Sequence, residues 1–402
     1  MAESVTLISQ YFYPETAATA QLLTELAVEL CQRGMNMVVY TAQPSYHCRK
    51  RLPKKEILHG VRIHRLFSTQ FGKKRLHGRL LDGITFSIAA FFKLLLSRQR
   101  GILLATTNPP FLIWVVLFIS ILRKRKYVVL IHDVYPDVAI KLGYMSEKGV
   151  ITRIWRWLNK HSYKRARAIV VLGEEMRRII QQAGADPSKI HVIHSWADGS
   201  LLYPQKKDKN PFVKQHGLEG KIVVLYSGNL GQAHDLESLV EAADQLRDLQ
   251  ELVFLFIGEG AKKEKLVSMV REKGLVNVVF LPPVPYEELR FSLPAGDIGV
   301  VTLERGVEGL CEPSKLYAYL AAGLAILALV GRSSEVARII EMHKCGFRVD
   351  QNDVKGVVEV LRRWMVNREE MKEMKHRARK CFEQHYDKRI AIGKYLELLR
   401  TL

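Results

Sequence analysis

The sequence lacks the features of disulfide-rich, zinc-binding and membrane-spanning proteins. Its five cysteines show no CxxC pair and no other spacing typical of a metal site, so we expect reduced thiols, as in a cytosolic protein. The apolar stretch 111–122 falls short of the roughly 20 residues that span a bilayer. Because a strand-like VTLIS stands at residues 5–9, we expect no signal peptide. We find no internal repeat, which argues against a solenoid.

Acidic side chains are scarce relative to basic ones. Lys and Arg number 61 against 41 Asp and Glu, so the formal net charge is +20 at pH 7. Such an excess favours an anionic partner, which could be a nucleic acid, an anionic lipid or a phosphorylated small molecule. We recognise no RNA- or DNA-binding module and no aromatic–basic platform, so we expect no nucleic-acid partner.

The pattern along the chain predicts two α/β domains. At 402 residues the chain is too long for one ordinary core. Short apolar runs alternate with amphipathic helical patterns, which indicates parallel sheets with right-handed crossovers. We expect two Rossmann-like parallel-sheet domains facing across a cleft, with a lysine-rich linker beginning at residue 204. The predicted domains are residues 1–203 and 204–385, and a C-terminal helix over 386–402 packs back toward the first domain.

Two apolar helices are predicted in the first domain, over residues 84–96 and 111–122. The second is followed by the basic run Arg123-Lys124-Arg125-Lys126. One interpretation is a helix buried in the domain. The other is a helix in the membrane interface, with its basic flank on anionic headgroups.

The stretch from Asp297 to Val330 has the order strand, polar loop, helix, glycine, strand. Its loop places Ser314 and Lys315 at the start of a helix, beyond the carboxyl end of a parallel strand. Open α/β sheets bind ligands there, and a helix N-terminus favours anions. This stretch therefore predicts a site for a phosphate and a sugar.

Six segments in order resemble one known group of enzymes. They read YFYPETAATAQLLTELAVEL, TTNPPF, HDVYPD, YSGNLGQAHDLESLVEAA, FIGEG and EPSKLYAYLAAG. The whole chain is similar to the retaining family 4 glycosyltransferases, which have the GT-B fold. The resemblance is closest to the branch that builds bacterial exopolysaccharide and O-antigen units, which includes the colanic-acid and fucosamine-transferase-like enzymes.

The resemblance implies a nucleotide-sugar donor, UDP- or GDP-linked, on the second domain and an acceptor on the first. Transfer would proceed with retention and without a metal or other cofactor, so basic side chains and backbone N–H groups would stabilise the leaving diphosphate. The acceptor would be lipid-linked or a glycan. The enzyme would then work in the cytoplasm, peripherally bound to an anionic membrane surface at the inner face of the cell membrane.

The donor-binding residues carried over from the family depart from its usual pattern. Asn229 and His234 occupy the positions of an Arg and a Lys, so Lys315 is our candidate for the missing cation. The remaining predicted donor contacts are Gly228, Gly258, Glu259, Val284 and Ser314. Taken alone, Gly258-Glu259-Gly260 is equally consistent with a plain turn, and Lys315 with a solvated lysine near a helix start.

The family's two glutamates, eight positions apart, align with Leu310 and Ala318, so neither is present. Glu308 and Glu312 are the neighbouring acids that could reach the donor sugar, although Glu312 could also be only a helix N-terminal charge. We see no carboxylate suited to act as a nucleophile. Attack from the front face, with the leaving phosphate as base, is what the resemblance implies.

On the acceptor side we predict Glu15, Thr16 and Tyr46, together with the pair His132 and Asp133 at the end of a strand. The pair could bind an acceptor hydroxyl or take up its proton. The alternative is a histidine packed against a neighbouring tyrosine, with Asp133 capping a turn.

Other functions remain open. A nucleotide-sugar epimerase or hydrolase could have the same fold, but it would act on a soluble substrate and would not need a basic, apolar surface. A relative that has lost its donor contacts would also explain the residues at positions 229, 310 and 318.

Overall fold

The computed structural model describes residues 4–15, 17–44, 51–71 and 76–402. Two of the predicted acceptor-side residues, Thr16 and Tyr46, lie outside these ranges. The chain divides into two compact units. The first comprises Met1–His194, Leu310–Glu312 and Ala391–Leu402, and the second comprises Ser195–Gly309 and Pro313–Ile390.

The first unit contains a sheet of eight strands. Their ranges are β1 (Ser4–Ile8), β2 (Asn36–Ala42), β3 (Lys55–Leu58), β4 (Val61–Leu66), β5 (Ile102–Thr106), β6 (Tyr127–Leu130), β7 (Ala168–Val171) and β8 (Ile190–Val192). The order across the sheet is β3-β4-β2-β1-β5-β6-β7-β8. All neighbours are parallel except the edge pair β3 and β4, which is antiparallel.

The helices of the first unit cover both faces of this sheet. They are α1 (Ala18–Gln32), α2 (Leu76–Leu96), α3 (Leu112–Arg123), α4 (Asp137–Lys141), α5 (Val150–Arg165) and α6 (Glu174–Gln182). Because right-handed crossovers in opposite directions use opposite faces, α1 lies on one face, and α2, α3, α5 and α6 lie on the other. On that second face α2 packs beside α3, and α3 packs beside α5.

The second unit contains a sheet of six strands, all parallel. Their ranges are β9 (Ile222–Ser227), β10 (Leu252–Ile257), β11 (Val278–Leu281), β12 (Ile298–Thr302), β13 (Ala325–Leu329) and β14 (Gly346–Val349). The order across the sheet is β11-β10-β9-β12-β13-β14. The predicted pair of Rossmann-like parallel-sheet domains is therefore confirmed.

Nine α-helices complete the described part of the chain. They are α7 (Pro211–Gln215), α8 (Glu237–Gln245), α9 (Lys263–Lys273), α10 (Leu289–Ser292), α11 (Lys315–Ala322), α12 (Glu335–His343), α13 (Val354–Val366), α14 (Arg368–Cys381) and α15 (Lys388–Arg400). A π-helical turn at Phe382–Tyr386 joins α14 to α15. Within the described ranges, no helix has both the length and the apolar character needed to cross a membrane.

The strand interiors form the cores because they are continuous apolar runs, as expected for parallel strands covered on both faces. In the second unit, Phe254 and Phe256 of β10 and Trp364 of α13 are almost fully buried. Burying one such side chain stabilises the fold by roughly 1.5–3 kcal/mol. These cores hold the strand ends in place, and the strand ends in turn position the loops that follow them.

Candidate functional site

The topology of the second unit marks one position for a ligand. The chain leaves β9 toward β10 and β11, and then returns to form β12 on the other side of β9. The connections that follow β9 and β12 therefore run in opposite directions across the sheet, and such a reversal creates a crevice beyond the carboxyl ends of the two strands. Open α/β sheets bind ligands at such switch points. The Gly228–Asp235 loop and the start of α11 both belong to this region.

Glycines bring two backbone segments into close contact beside the crevice. Gly228 and Gly258 follow β9 and β10, and their φ angles of 137° and 150° favour glycine. A Cβ atom on Gly258 would collide with the carbonyl oxygen of Gly228, and one on Gly260 would collide with the Leu230 backbone. The predicted Gly258-Glu259-Gly260 segment thus supports the Gly228 loop, to which it is also joined by a Leu230 N–H···O Glu259 bond of 2.9 Å.

Lys315 in the first turn of α11 points its amine at this loop. The residue is half-buried, but its Nζ is enclosed and has no hydrogen-bond partner. The Nζ lies 3.4 Å from the centroid of the Tyr226 ring. It would lie 3.7 Å from a Cβ atom on Gly228, so the glycine leaves the amine next to bare backbone.

The electrostatics of Lys315 follow from this enclosure. Burial lowers the pKa of the Lys315 amine well below its usual value of 10.5. An unpaired buried polar group costs about 1–3 kcal/mol, and the face of an aromatic ring compensates a cation only in part. The arrangement therefore suits an anion that binds beside Gly228.

Two tyrosine hydroxyls bond to the backbone at the Gly228 loop, one from β9 and one from α11. The Tyr226 hydroxyl donates to the Asn229 carbonyl at 2.8 Å, and the Ser227 N–H donates to the Tyr319 hydroxyl at 2.7 Å. The Tyr319 ring fits because β12 has a glycine at position 299, where a Cβ atom would collide with it. Both hydroxyls are therefore bonded to the backbone around the Gly228 loop.

His234 does not supply the positive charge that its position has in related enzymes. Its Nδ1 lies 2.7 Å from the Thr302 carbonyl oxygen, and because a carbonyl only accepts, Nδ1 carries the proton. Burial is the largest of the effects that lower the pKa of His234 to about 3. The imidazole is therefore neutral near pH 7.

A second cation in this region, Lys262, is not among the residues that the sequence predicts for the site. Its buried Nζ donates to Glu237 at 2.9 Å, to Glu304 at 2.6 Å and to the His234 carbonyl at 2.6 Å. Burial acts to raise the pKa of Glu237, but hydrogen bonds from Lys262 and Lys265 outweigh it and lower this pKa to about 2. Lys262 is thus charged and neutralised, and it joins the loops after β9 and β12.

The remaining predicted donor residues differ in how they are placed. Glu308 accepts hydrogen bonds from the Gly306 N–H at 2.7 Å and from the Gln351 side chain, so one oxygen braces its own loop and the other bonds to the loop after β14. Ser314 is the N-cap residue of α11 but makes no capping bond with its side chain.

Three further residues complete this set. Glu259 pairs with Lys263 on the surface. Val284 is half-buried in the loop after β11, and Glu312 is half-buried in a segment that groups with the first unit.

The acceptor-side prediction falls on the first unit. Its switch point lies between β1 and β5, and the buried Glu15 lies in the loop after β1. Thr107, directly after β5, accepts backbone hydrogen bonds from His132 at 3.0 Å and Asp133 at 3.2 Å. One threonine hydroxyl therefore holds the segment that carries the predicted pair.

Burial shifts the pKa values of His132 and Asp133 in opposite directions. Burial alone lowers the pKa of His132 to about 4, and its Nε2 is buried without a hydrogen-bond partner. Burial raises the pKa of Asp133 to about 6, although the charge of Arg79 opposes this. The imidazole of His132 is therefore neutral near pH 7.

Among the residues that the structure describes, no group of three or more His, Cys, Asp and Glu side chains could hold a metal ion.

Solved structures with the same fold are glycosyltransferases. Sucrose-phosphate synthase from Thermosynechococcus elongatus matches with a TM-score of 0.78 at 15% identity, covering 99% of this chain and 98% of the other. Anabaena HepE in complex with UDP-glucose matches with a TM-score of 0.76 at 14% identity, covering 99% and 100%. WaaG, a lipopolysaccharide-biosynthesis glycosyltransferase, gives a TM-score of 0.73 at 14% identity, covering 98% and 99%. The fold is that of the GT-B glycosyltransferases, as predicted.

Sequence comparison narrows the class to a family. The family described as "Glycosyl transferase 4-like domain" matches residues 18–196, and "Glycosyl transferases group 1" matches residues 208–381. The chain therefore belongs to the glycosyltransferases of this family 4 type. A Pseudomonas aeruginosa protein described as glycosyltransferase WbjE is 28% identical over 331 residues, 82% of each chain. The colanic acid biosynthesis glycosyl transferase WcaI of Escherichia coli K12 is 26% identical over 276 residues, 65% of this chain and 66% of the relative.

Proposed function

We propose that the protein transfers a sugar from a nucleotide-sugar donor, and that Lys315 binds the donor diphosphate. The observation that carries this proposal is the enclosed, unpaired amine of Lys315 beside Gly228, at the switch point of the second unit. A diphosphate would give the amine its missing hydrogen-bond acceptor and counter-charge. That Anabaena HepE has been solved with UDP-glucose supports a nucleotide sugar as donor.

The chemistry needs a group that stabilises the leaving diphosphate. In the transition state negative charge develops on the phosphate oxygen that leaves the anomeric carbon. Lys315 and the positive end of α11 are aimed at this charge, which is the role of a preorganised electrostatic site. No metal is required in this scheme.

Transfer with retention is part of the proposal. The bond from the anomeric carbon to the phosphate oxygen breaks, and the acceptor oxygen forms its bond on the same face. The proton of the acceptor hydroxyl passes to the leaving phosphate. Glu308 already binds Gly306 and Gln351 with its two oxygens, which favours this route over a carboxylate nucleophile. Product NMR should show the donor's anomeric configuration, and a glycosyl–carboxylate adduct trapped on the enzyme would contradict the route.

The donor assignment is tested by ligand-induced stabilisation. A thermal-shift screen with UDP-, GDP-, ADP- and dTDP-sugars should give a rise in melting temperature with one nucleotide class. Lys315→Met should abolish that rise, whereas Lys380→Met, which removes an exposed lysine on α14, should retain it. Folded wild-type protein that is stabilised by no donor and transfers from none would overturn the proposal.

The acceptor we propose is lipid-linked, used in bacterial surface polysaccharide synthesis at the inner face of the membrane. The first support is the name of a relative, since WcaI is described as acting in colanic acid biosynthesis. The second is the surface formed by the adjacent helices α2, α3 and α5, which we call the helical face. It exposes large apolar side chains on every helix, among them Ile88, Phe92, Ile121, Leu122, Ile154 and Trp157.

The charges of the helical face fit an anionic bilayer. The sequences of α3 and α5 contain no Asp or Glu, and the single acid of α2, Asp82, is buried. The basic run 123–126 begins at the end of α3, and α5 adds further lysines and arginines. Apolar side chains flanked by cations and free of exposed acids are typical of helices that lie in the membrane interface.

Vesicle sedimentation tests the membrane proposal. The protein should bind phosphatidylglycerol vesicles and bind phosphatidylcholine vesicles much more weakly. The double variant Phe92→Ser, Leu122→Ser should lower the affinity at least tenfold, because each side chain buried in the bilayer contributes roughly 1.5–3 kcal/mol.

The matched control for this experiment is Val276→Ser, Val366→Ser. These two valines lie in the second unit and are more exposed, at 97% and 89%, than Phe92 and Leu122, at 55% and 58%. If the control loses vesicle binding as much as the helical-face variant, or if the wild type does not bind anionic vesicles, the membrane proposal is wrong.

The alternative of an epimerase or hydrolase makes a different prediction. Such an enzyme would form product from the donor alone, with no acceptor present. Because the matching families and relatives are glycosyl transferases, we favour transfer. Rapid acceptor-independent turnover would favour the alternative.

A further inference from the structure

The surroundings of the Lys315 amine contain titratable groups but no counter-charge. Tyr226 faces it from β9, His234 lies in the loop after that strand, and Tyr319 lies on the same helix as Lys315. Beyond His234 is Lys262, whose charge is already neutralised by Glu237 and Glu304. Among the described residues, none accepts a hydrogen bond from the Lys315 Nζ.

The groups that face the amine are uncharged near neutral pH. Burial raises the pKa of Tyr226 well above its usual value and raises that of Tyr319 as well. The pKa of His234 is lowered to about 3, so its imidazole is neutral. An ammonium at this position would face an aromatic ring, a neutral imidazole and bare backbone, with water excluded. The charged form of Lys315 is therefore the one that the empty site disfavours.

We propose that Lys315 is an uncharged amine in the empty site and takes up a proton when a nucleoside diphosphate binds. The inference rests on the proposed function, because the diphosphate is the anion that makes the ammonium favourable. The proton comes from the solvent and is returned when the diphosphate leaves. Donor binding and protonation are then linked, so that each favours the other.

The linkage has a physical basis in the placement of the amine. A lysine on the surface would be charged before the ligand arrived, and binding would move no proton. Here the amine is held by the Tyr226 ring and Gly228 in a position where only a ligand can supply negative charge. Above the pKa of the empty site, each bound diphosphate should therefore bring about one proton with it.

Titration calorimetry measures this proton directly. UDP and GDP are titrated at pH 8.5, where their phosphates are ionised, in Tris and in Bicine buffer, which differ in ionisation enthalpy. The binding enthalpy should change with the buffer by an amount that corresponds to uptake of about one proton. Repeating the titration with a UDP-sugar, whose diphosphate cannot take up a proton near this pH, separates the lysine from the nucleotide.

Three variants locate the proton. Lys315→Arg keeps a cation that stays charged, so it should bind UDP or GDP without proton uptake. Lys315→Met should show no uptake and at least tenfold weaker binding. Lys380→Met should behave like the wild type. Circular dichroism and urea denaturation establish that each variant is folded.

The outcomes separate this inference from the function on which it rests. If folded wild-type protein binds neither UDP nor GDP nor any nucleotide sugar, the proposed function fails, and the inference fails with it. If a nucleotide binds with an enthalpy that is the same in both buffers, only the inference is overturned. The same follows if Lys315→Arg takes up as many protons as the wild type.

Discussion

Replacing Lys315 by methionine should make the empty protein more stable and at the same time remove its response to nucleotides. Methionine keeps the unbranched apolar stem and packs well against an aromatic ring such as that of Tyr226. The substitution removes only the enclosed amine, which has no hydrogen-bond partner. The two effects have opposite signs because the amine is costly without a ligand and useful with one.

The size of the stabilisation has an upper limit. An ordinary lysine has a pKa of 10.5, and keeping it deprotonated at pH 7 costs about 5 kcal/mol at 1.36 kcal/mol per pKa unit. The electrostatic cost of burying this lysine cannot exceed that figure, because a larger cost would simply drive off the proton. The lower limit is the cost of an unpaired polar group, about 1 kcal/mol. We therefore expect the free energy of unfolding to rise by between about 1 and 5 kcal/mol.

Urea denaturation at pH 7 tests both effects. In the wild type, a nucleotide at 100 times its dissociation constant should add about 2.7 kcal/mol to the free energy of unfolding, and in Lys315→Met it should add almost nothing. Lys380→Met serves as the control, with little change in either measurement. If Lys315→Met lowers the stability of the empty protein by more than about 1 kcal/mol, the amine makes a favourable interaction there, and our account of the site is refuted.

Three further predictions concern the groups around the two switch points. Gly258→Ala should destabilise the protein by more than about 3 kcal/mol, because the new Cβ atom would clash with the Gly228 backbone. The control is Gly274→Ala, where φ is 61° and the space is open, so that only about 1–2 kcal/mol should be lost. Equal losses of stability in urea denaturation would contradict the clash. Because the pKa of Glu237 is depressed from 4.5 to about 2, its stabilisation is present above pH 4.5 and is lost as the pH falls toward 2. Glu237→Gln should therefore lose about 1–3 kcal/mol at pH 7 and show a flatter acid denaturation curve, and an unchanged curve would count against this pairing. His132→Gln should lower the rate of transfer by roughly 10²–10⁴, and by the same factor at every pH from 6 to 9. The factor should be constant because His132, with a pKa of about 4, does not titrate in that range. A factor that varies with pH between 6 and 9 would show that His132 titrates there.

The elements with strong local patterns could be predicted closely from the sequence. The sequence predicts strands over Leu252–Ile257 and Val278–Leu281 and a helix over Lys263–Lys273, and the structure has these elements with the same first and last residues. Buried parallel strands are continuous apolar runs, and amphipathic helices show their period directly. Such segments need little information from the rest of the chain.

Elements that depend on a neighbour were missed. The sequence predicts an irregular, basic region where the structure has the edge strand β3, Lys55–Leu58, whose residues alternate between exposed and half-buried. It becomes a strand by pairing with β4. The helix α12 and the strand β14 were likewise not predicted, although Ser334 caps α12 through a bond to Ala337 N–H.

Part of the candidate site could likewise be predicted from the sequence, and part depends on residues that are distant in the chain. Lys315 could be selected from the sequence because a lysine at a helix N-terminus opposes the helix dipole unless an anion is near. That its amine faces Tyr226 and lacks a partner depends on residues far apart in the chain. Lys262 and Glu308 are also ionisable side chains near the site, but the structure shows that each is already hydrogen-bonded to a neighbouring residue, Lys262 to Glu304 and Glu308 to Gly306. The sequence does not indicate these bonds.

The sequence by itself determined the class of fold, the two-domain organisation of parallel sheets and the loop that carries Lys315, because these follow from apolar periodicity and from local helix and turn chemistry. Only the tertiary structure decided which charged groups are free. A charge is compensated by whatever side chains the fold brings within about 4 Å of it, and those side chains come from other strands and loops. Hence the charge of Lys262 is neutralised by Glu237 and Glu304, whereas the amine of Lys315 has no hydrogen-bond partner.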